Sequence, residues 1–305
     1  MSKRDFLRVV DFSRDEILKV IERAAQLKEK TRRGEMECPL IGKTLAMIFQ
    51  KSSTRTRVSF EVAMYQMGGI SLFLSPQDTQ IGRGEPVKDT ARVLSRYVDA
   101  VMIRTYEQEE VEEFARYSSV PVINGLTDLH HPCQILGDLL TAKEFGKDLF
   151  SMKVAFVGDG NNVANSWVEA AFRLGFELSL ACPEGYDPHP QVLSLVEGKE
   201  NVRITRDPRE AVTGADVIYT DVWTSMGQEG EADERLRVFQ GFTVDDDLVS
   251  LAREDAIVMH CLPAHRGEEI TESVIEGERS VVFDQAENRL HIQKAILEFL
   301  IKGID

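Results

Sequence analysis

Short apolar runs alternate along this chain with stretches whose apolar residues recur every three or four positions. The first helix is announced at Ser13, where Glu16 completes a capping box and Phe12 and Ile17 sit at the positions of a hydrophobic staple. Ile17, Val20, Ile21 and Ala24 then trace one apolar face. Runs at 44–49 (TLAMIF), 70–74 (ISLFL), 99–103 (DAVMI) and 121–123 (PVI) predict strands, with helices between them over 56–67, 87–97 and 107–117. A second series opens with KVAFVG at 153–158 and runs through ELSLAC, NVRITR, DVIYTDVW, AIVMHCL and SVVFD. Alternation of this length predicts parallel sheets covered by helices on both faces. A helix, CQILGDLLTAKEFG, runs into the polar GKDLFSMK and marks the break at 133–152. The expected fold class is therefore α/β. It comprises two doubly wound domains, each with a central parallel sheet flanked by helices, joined by interdomain helices. The first domain covers 1–133, with a C-terminal helix over 287–305 packing back on it, and the second covers 134–286.

Composition narrows the function. The 305 residues carry 36 basic and 51 acidic side chains, a net charge of −15, with no basic block. Nucleic acid and anionic membranes are thereby disfavoured as partners, and an anionic substrate needs its own local cluster of cations. No apolar run approaches the roughly 18 residues that span a bilayer, and the N-terminus reads as neither signal nor transit peptide. Cys38, Cys133, Cys182 and Cys261 are far apart and form no CxxC pair, which fits a reducing cytoplasm and no zinc site.

In parallel α/β domains ligands collect beyond the carboxyl ends of strands, and five such segments carry candidate chemistry. In FQKSSTRTRVSFE (49–61) a strand gives way to a helix with Val58, Val62 and Tyr65 on one side. Ser52, Ser53, Thr54, Arg55, Thr56 and Arg57 bring hydroxyls and guanidiniums to the helix end, a combination suited to phosphate; the bland reading is a solvated cap. In LHHPCQILGD, Pro132 at the first helical position makes His131 the cap and Gln134 the third residue, both at the open helix end. They either meet a ligand or serve the cap and a neighbouring loop. FVGDGNNVANS (156–166) begins a GxGxxG pattern, but Val163 takes the third position and no ribose-binding acid follows. Asn161 and Asn162 there either hold a ligand or close the turn. YTDVWTSMGQEGEADE (219–234) reads as a loop of the kind that forms lids, with Asp221 a partner for a cation or simply a solvated acid. In MHCLPAHRGEE, His260 and Cys261 are neighbours on a strand and should face opposite ways, which disfavours a Cys–His dyad.

Taken together, STRTR (53–57), IRT (103–105), HPCQ (131–134), GDGNN (158–162), DVWTSMG (221–227), HCLP (260–263) and AENR (286–289) resemble the aspartate/ornithine carbamoyltransferase family across essentially the whole chain, TQIGRGEPVKDTARVLSRY (79–97) included. SMG and HCLP point to its ornithine branch; Ser52 and Pro86 are small departures. The resemblance implies transfer of the carbamoyl group of carbamoyl phosphate to the δ-amine of L-ornithine, giving L-citrulline and phosphate, with no metal or organic cofactor. It implies that Ser53, Thr54, Arg55, Thr56 and Arg104 hold the phosphate, that His131, Arg104 and Thr56 lie near the carbonyl oxygen, and that Gln134 meets the carbamoyl amide. Asn162, Asp221, Ser225 and Met226 bind ornithine by the same pattern. Cys261 and Leu262 line the reacting centre, Arg289 closes the site, and Arg104, His131, Asp221 and Cys261 act in catalysis. Gln80 is implied to reach a neighbouring subunit's phosphate, making a homotrimer or an assembly of trimers the expected unit. The alternatives are transfer to putrescine or aspartate, a nicotinamide-dependent oxidoreductase suggested by Gly158-Asp159-Gly160, and a non-catalytic paralogue.

Overall fold

The apolar runs become the strands of two all-parallel sheets in a computed structural model that describes residues 3–75 and 84–303, with only the backbone of Glu229. The first unit comprises residues 1–140 and 288–305, and the second 141–287. The first contains α1 (Arg14–Arg32), β1 (Thr44–Phe49), α2 (Thr54–Gln66), β2 (Ile70–Leu74), α3 (Val87–Leu94), β3 (Ala100–Arg104), α4 (Gln108–Tyr117) and β4 (Val122–Leu126). α5 (Pro132–Glu144) crosses the division. The second unit runs through β5 (Lys153–Val157), α6 (Asn162–Leu174), β6 (Glu177–Ala181), α7 (Pro190–Leu193), β7 (Val202–Thr205), α8 (Pro208–Val212), β8 (Val217–Thr220), α9 (Ala232–Val238), α10 (Asp246–Val249), β9 (Ile257–His260) and α11 (Glu272–Ile275). α12 (Val282–Ile301) crosses back.

The strand orders are β2-β1-β3-β4 and β7-β6-β5-β8-β9, all pairs parallel. In each sheet the order reverses beside the first strand, the topological switch point where α/β folds bind ligands. Here that point lies between the ends of β1 and β3, and between those of β5 and β8. β1, β3 and β8 are buried along nearly their whole length, which is why they read as continuous apolar runs.

Local signals account for the ends of several helices. Ser13 accepts from the Glu16 amide while Glu16 returns to the Ser13 amide, the expected capping box, worth about 1 kcal/mol. Gly175 ends α6 at φ 88°, in the left-handed region that glycine tolerates.

Two readings of the pattern need correction. SVVFD is not a strand: Ser280 makes a single bridge to Val258, and Val282 already begins α12, five residues ahead of the expected start. Three consecutive apolar residues carry no period, so they fit either element. On α2 the core face is Phe60, Ala63 and Met64, whereas Val58 and Tyr65 are exposed. Among the described residues no helix is long and apolar enough to cross a membrane.

Candidate functional site

In the first unit the loop after β1 is shaped by its own side chains. Ser53 caps α2, its hydroxyl accepting from the Thr56 amide at 3.1 Å, which leaves the first-turn amides of Thr54 and Arg55 at the positive helix end. Thr56 is buried, and its Oγ1 accepts from Arg289 Nη2 at 2.9 Å. Arg104 closes β3, and its Nε donates to the Lys51 carbonyl at 3.2 Å, pinning the guanidinium beside the same loop. Lys51 is itself buried, pairs with Asp128 at 2.6 Å and lies 5.0 Å over the Tyr106 ring.

His131 takes the cap position of α5, its carbonyl accepting from the Gln134 amide at 3.1 Å. Burial, followed by the charges of Arg289, Arg104, Arg55 and Lys51, holds its pKa well below the usual value. A neutral imidazole ringed by four cations is the outcome, an arrangement that favours a bound anion and offers a neutral donor beside it. Gln134 donates Nε2 to Asp138 Oδ1 at 2.8 Å, one helical turn on. Its buried Oε1 meets no donor among the described residues, so the side chain offers a carbonyl to a ligand's N–H. Cys133 is turned inward to the Asn124 carbonyl, and burial pushes its thiol up to about 12, which removes it as a nucleophile.

Arg57 does not join this group. It pairs with Glu61 at 3.0 Å and lies 3.8 Å over the Phe73 ring. Gln80 lies outside the described residues. Lys51 escaped the sequence reading, although a cation directly ahead of the hydroxyl cluster was the available signal.

In the second unit Asp221 follows β8 directly. Its Oδ1 accepts from the Cys261 thiol at 3.0 Å and its Oδ2 from Asn161 Nδ2 at 2.8 Å. Asn161 also caps α6, accepting from the Val163 and Ala164 amides, so one side chain both closes the turn and orients the carboxylate. Asn162 is the first residue of α6 and is buried. Ser225 is held in a tight turn by Gln228, and Met226 is 44% exposed; neither side chain is hydrogen-bonded to Asp221.

Gly160 is required by packing. A Cβ there would meet the Asp187–Pro188 backbone at 2.3 Å, and the Gly160 amide donates to the Tyr186 carbonyl at 2.8 Å. The glycine thus serves the chain's own loop, which removes the observation behind the nicotinamide reading.

His260 and Cys261 come closer than strand alternation predicts, because β9 ends at His260 and the chain turns at Leu262, φ 57°. Asp221, His260 and Cys261 have donor atoms within 4.8 Å of one another, the spacing of a metal-ligand group. The imidazole is already engaged: Nδ1 accepts from the Leu262 amide at 2.9 Å and Nε2 faces Glu269 at 2.9 Å. It serves neither as a base for Cys261 nor, as placed, as a metal ligand.

Arg235, one residue beyond the stretch read as a loop, is the residue that sequence reasoning missed most completely. From α9 it donates Nη1 to Asp159 at 3.0 Å and to the Trp223 carbonyl at 2.8 Å, and its guanidinium lies 5.0 Å over the Tyr186 ring. One buried cation therefore ties the GDG turn to the segment bearing Ser225 and Met226. Burial pushes Asp159 up to about 6 even with Arg235 beside it, so acid weakens the tie. On the activity that the resemblance implies, an Arg235→Met variant is expected to raise the ornithine KM about tenfold, with the carbamoyl-phosphate KM unchanged. The parent's ornithine KM should climb as pH falls through about 6. Initial rates at varied pH test both, and equal changes in the two KM values would contradict this role.

Residues 4–144 match the family described as aspartate/ornithine carbamoyltransferase, carbamoyl-P binding domain, and residues 151–300 match its Asp/Orn binding domain. The chain is 58% identical over 301 residues to an ornithine carbamoyltransferase of Syntrophus aciditrophicus, covering 98% of this chain and 100% of that one. Among solved structures, the Pyrococcus furiosus ornithine carbamoyltransferase is 52% identical at a TM-score of 0.94, covering 100% of this chain and 99% of the other. The anabolic Campylobacter jejuni enzyme is 46% identical at a TM-score of 0.92, covering 97% and 98%. Two parallel sheets, a cation-ringed histidine after the first and an Asp–Cys–Asn set after the second thus accompany likeness along nearly the whole length, and the chain belongs to the aspartate/ornithine carbamoyltransferase family.

Proposed function

We propose that this chain transfers the carbamoyl group of carbamoyl phosphate to the δ-amine of L-ornithine, releasing L-citrulline and phosphate. The observation that carries the assignment is the neutral His131 among Arg55, Arg104, Arg289 and Lys51, in the unit whose family description names carbamoyl phosphate. Ser53, Thr54, Arg55, Thr56 and Arg104 take the phosphate. Thr56, Arg104 and His131 donate to the carbonyl oxygen, and Gln134 accepts from the amide. Asn162, Asp221, Ser225 and Met226 receive ornithine, Cys261 and Leu262 border the reacting carbon, and Arg289 closes over the donor.

The chemistry fits these groups. An amine with a pKa near 10.4 costs about 4.6 kcal/mol to deprotonate at pH 7. Asp221 receives and orients the ammonium and so favours the charged form, which means another acceptor must take the proton before attack. Charge then builds on the carbonyl oxygen, where each placed donor contributes about 2.7–4 kcal/mol. The departing phosphate is a candidate acceptor for the amine's proton. No electron is transferred and no covalent enzyme intermediate is needed, so the reaction calls for neither a redox cofactor nor a metal.

The direct test supplies purified protein with carbamoyl phosphate and one amine at a time, and detects the ureido product. Ornithine should turn over; turnover of putrescine or aspartate in its place overturns the substrate assignment.

A homotrimer or an assembly of trimers is the working unit we assign, in a reducing cytoplasm that suits four free cysteines. Support comes from an apolar surface on one edge of the first sheet. β2 is an edge strand exposing Ile70 and Leu72, and α2 beside it exposes Val58 and Tyr65. Such edges are usually covered. A Leu72→Glu variant should sediment as a monomer and lose at least fivefold in activity. An unchanged trimer would place the interface elsewhere, and a monomeric parent would end the assignment.

A further inference from the structure

The end of α1, the end of α2 and the middle of α12 line a pocket of about 220 Å³, open to solvent on one side, within the first unit. Leu27, Met36 and Met67 form apolar walls, and none of the residues assigned to the reaction borders it. Lys294 from α12 also lines it, only 2% exposed. Its Nζ donates to Thr31 Oγ1 at 3.0 Å, and that hydroxyl passes its own hydrogen to the Leu27 carbonyl at 2.7 Å. An ammonium has three donors, and this arrangement uses one. The two acids that also line it do not pair with Lys294: Glu37 is held by Arg23 and Lys30, and Glu35 is exposed. Burial alone draws the Lys294 pKa down to about 8, so at neutral pH most copies still carry an uncompensated charge. A buried charge of this kind is costly until paired. Gln66, also on the lining, keeps Oε1 buried with no donor among the described residues.

The cavity therefore makes two unmet demands, for a negative charge and for an N–H donor, between apolar walls. Its volume falls below the roughly 300–1,000 Å³ of drug-sized pockets, which suits a ligand of amino-acid size. We propose that this cavity is a second ligand site, for a small carboxylate bearing an N–H group. Lys294 pairs with the carboxylate, Gln66 accepts from the N–H, and the short apolar body packs on Leu27, Met36 and Met67.

N-acetylglycine is a suitable probe, because it carries the carboxylate and amide N–H but no amine to mimic ornithine. In the unaltered protein, saturating N-acetylglycine should slow acetylation of Lys294 by an N-hydroxysuccinimide ester at least tenfold, measured by peptide mass spectrometry, while exposed Lys302 reacts as before. Calorimetric titration should give saturable binding that Lys294→Met abolishes and Gln66→Leu weakens about tenfold. Acetate binding should be indifferent to Gln66→Leu. Lys294→Met should retain the parent's kcat with ornithine, which also reports that it folds. Should it fail to fold, labelling of the unaltered chain and the Gln66→Leu titration still decide. Unprotected Lys294, or equal affinity in parent and Lys294→Met, overturns the proposal.

Discussion

An Arg55→Ala variant is expected to bind carbamoyl phosphate about a hundredfold more weakly than the parent chain, and to lose at least that factor in kcat/KM. The reason is local. Arg55 is the exposed second residue of α2, so truncation removes little packing and should leave the melting temperature nearly unchanged. On the proposed function its worth lies in the phosphate: a charge-assisted hydrogen bond contributes about 1.5–3 kcal/mol, and a guanidinium fork makes two. A second consequence runs through His131. Arg55 is one of the charges depressing that imidazole, so its removal lets the pKa rise toward the unfolded value near 6.5. The sign follows. A histidine depressed in the folded state loses stability as pH falls below the unfolded value, because the unfolded chain takes up the proton first. With Arg55 gone that acid penalty shrinks, while the acid limb of the rate profile moves to higher pH as His131 begins to protonate. Initial rates over carbamoyl-phosphate concentration at several pH values test both effects. Arg55→Lys restores charge without the fork and should recover only part of the affinity. An unchanged KM in Arg55→Ala would remove the phosphate from this helix end.

The alternation of elements was legible because parallel strands buried on both faces must be apolar along their length, and the helices between them must show a period near 3.6. α2 misled for a physical reason. Val58, Val62 and Tyr65 make a credible stripe, yet the monomer buries Phe60, Ala63 and Met64 instead. A sequence shows which positions shun water but not whether the chain itself or another chain covers them. The start of α12 was misplaced because Val281-Val282-Phe283 is too short to carry a period.

The candidate site residues were legible in proportion to their closeness to a strand end. Ser53, His131, Gln134 and Asp221 all stand there, and proline at 132 even fixed the capping geometry. Arg289 was reached only through the resemblance, since 233 residues separate it from Thr56. Arg235 gave no signal at all. It is one arginine among ordinary helix formers, and only the folded chain brings it under Asp159 and Trp223.

Asp221→Asn is expected to lower kcat/KM for ornithine a hundredfold or more, and to leave carbamoyl-phosphate binding within about twofold. The carboxylate is 7% exposed and accepts from two donors, Cys261 Sγ and Asn161 Nδ2. An asparagine keeps the shape but presents one acceptor and one donor. Whichever way the amide turns, its NH₂ faces a thiol hydrogen or another amide's hydrogens, so one partner must rotate away. The loss is then double: the negative charge that receives a cationic substrate, and the fixed geometry of Asn161 and Cys261 around it. Breaking a buried charged contact costs about 3 kcal/mol or more, which converts to the stated hundredfold. Carbamoyl phosphate should be spared, because the residues proposed to hold it belong to the other unit. Steady-state kinetics with each substrate varied in turn separates the outcomes. Equal losses toward both substrates would mean that Asp221 supports the fold of the second unit, and that the amine is received elsewhere.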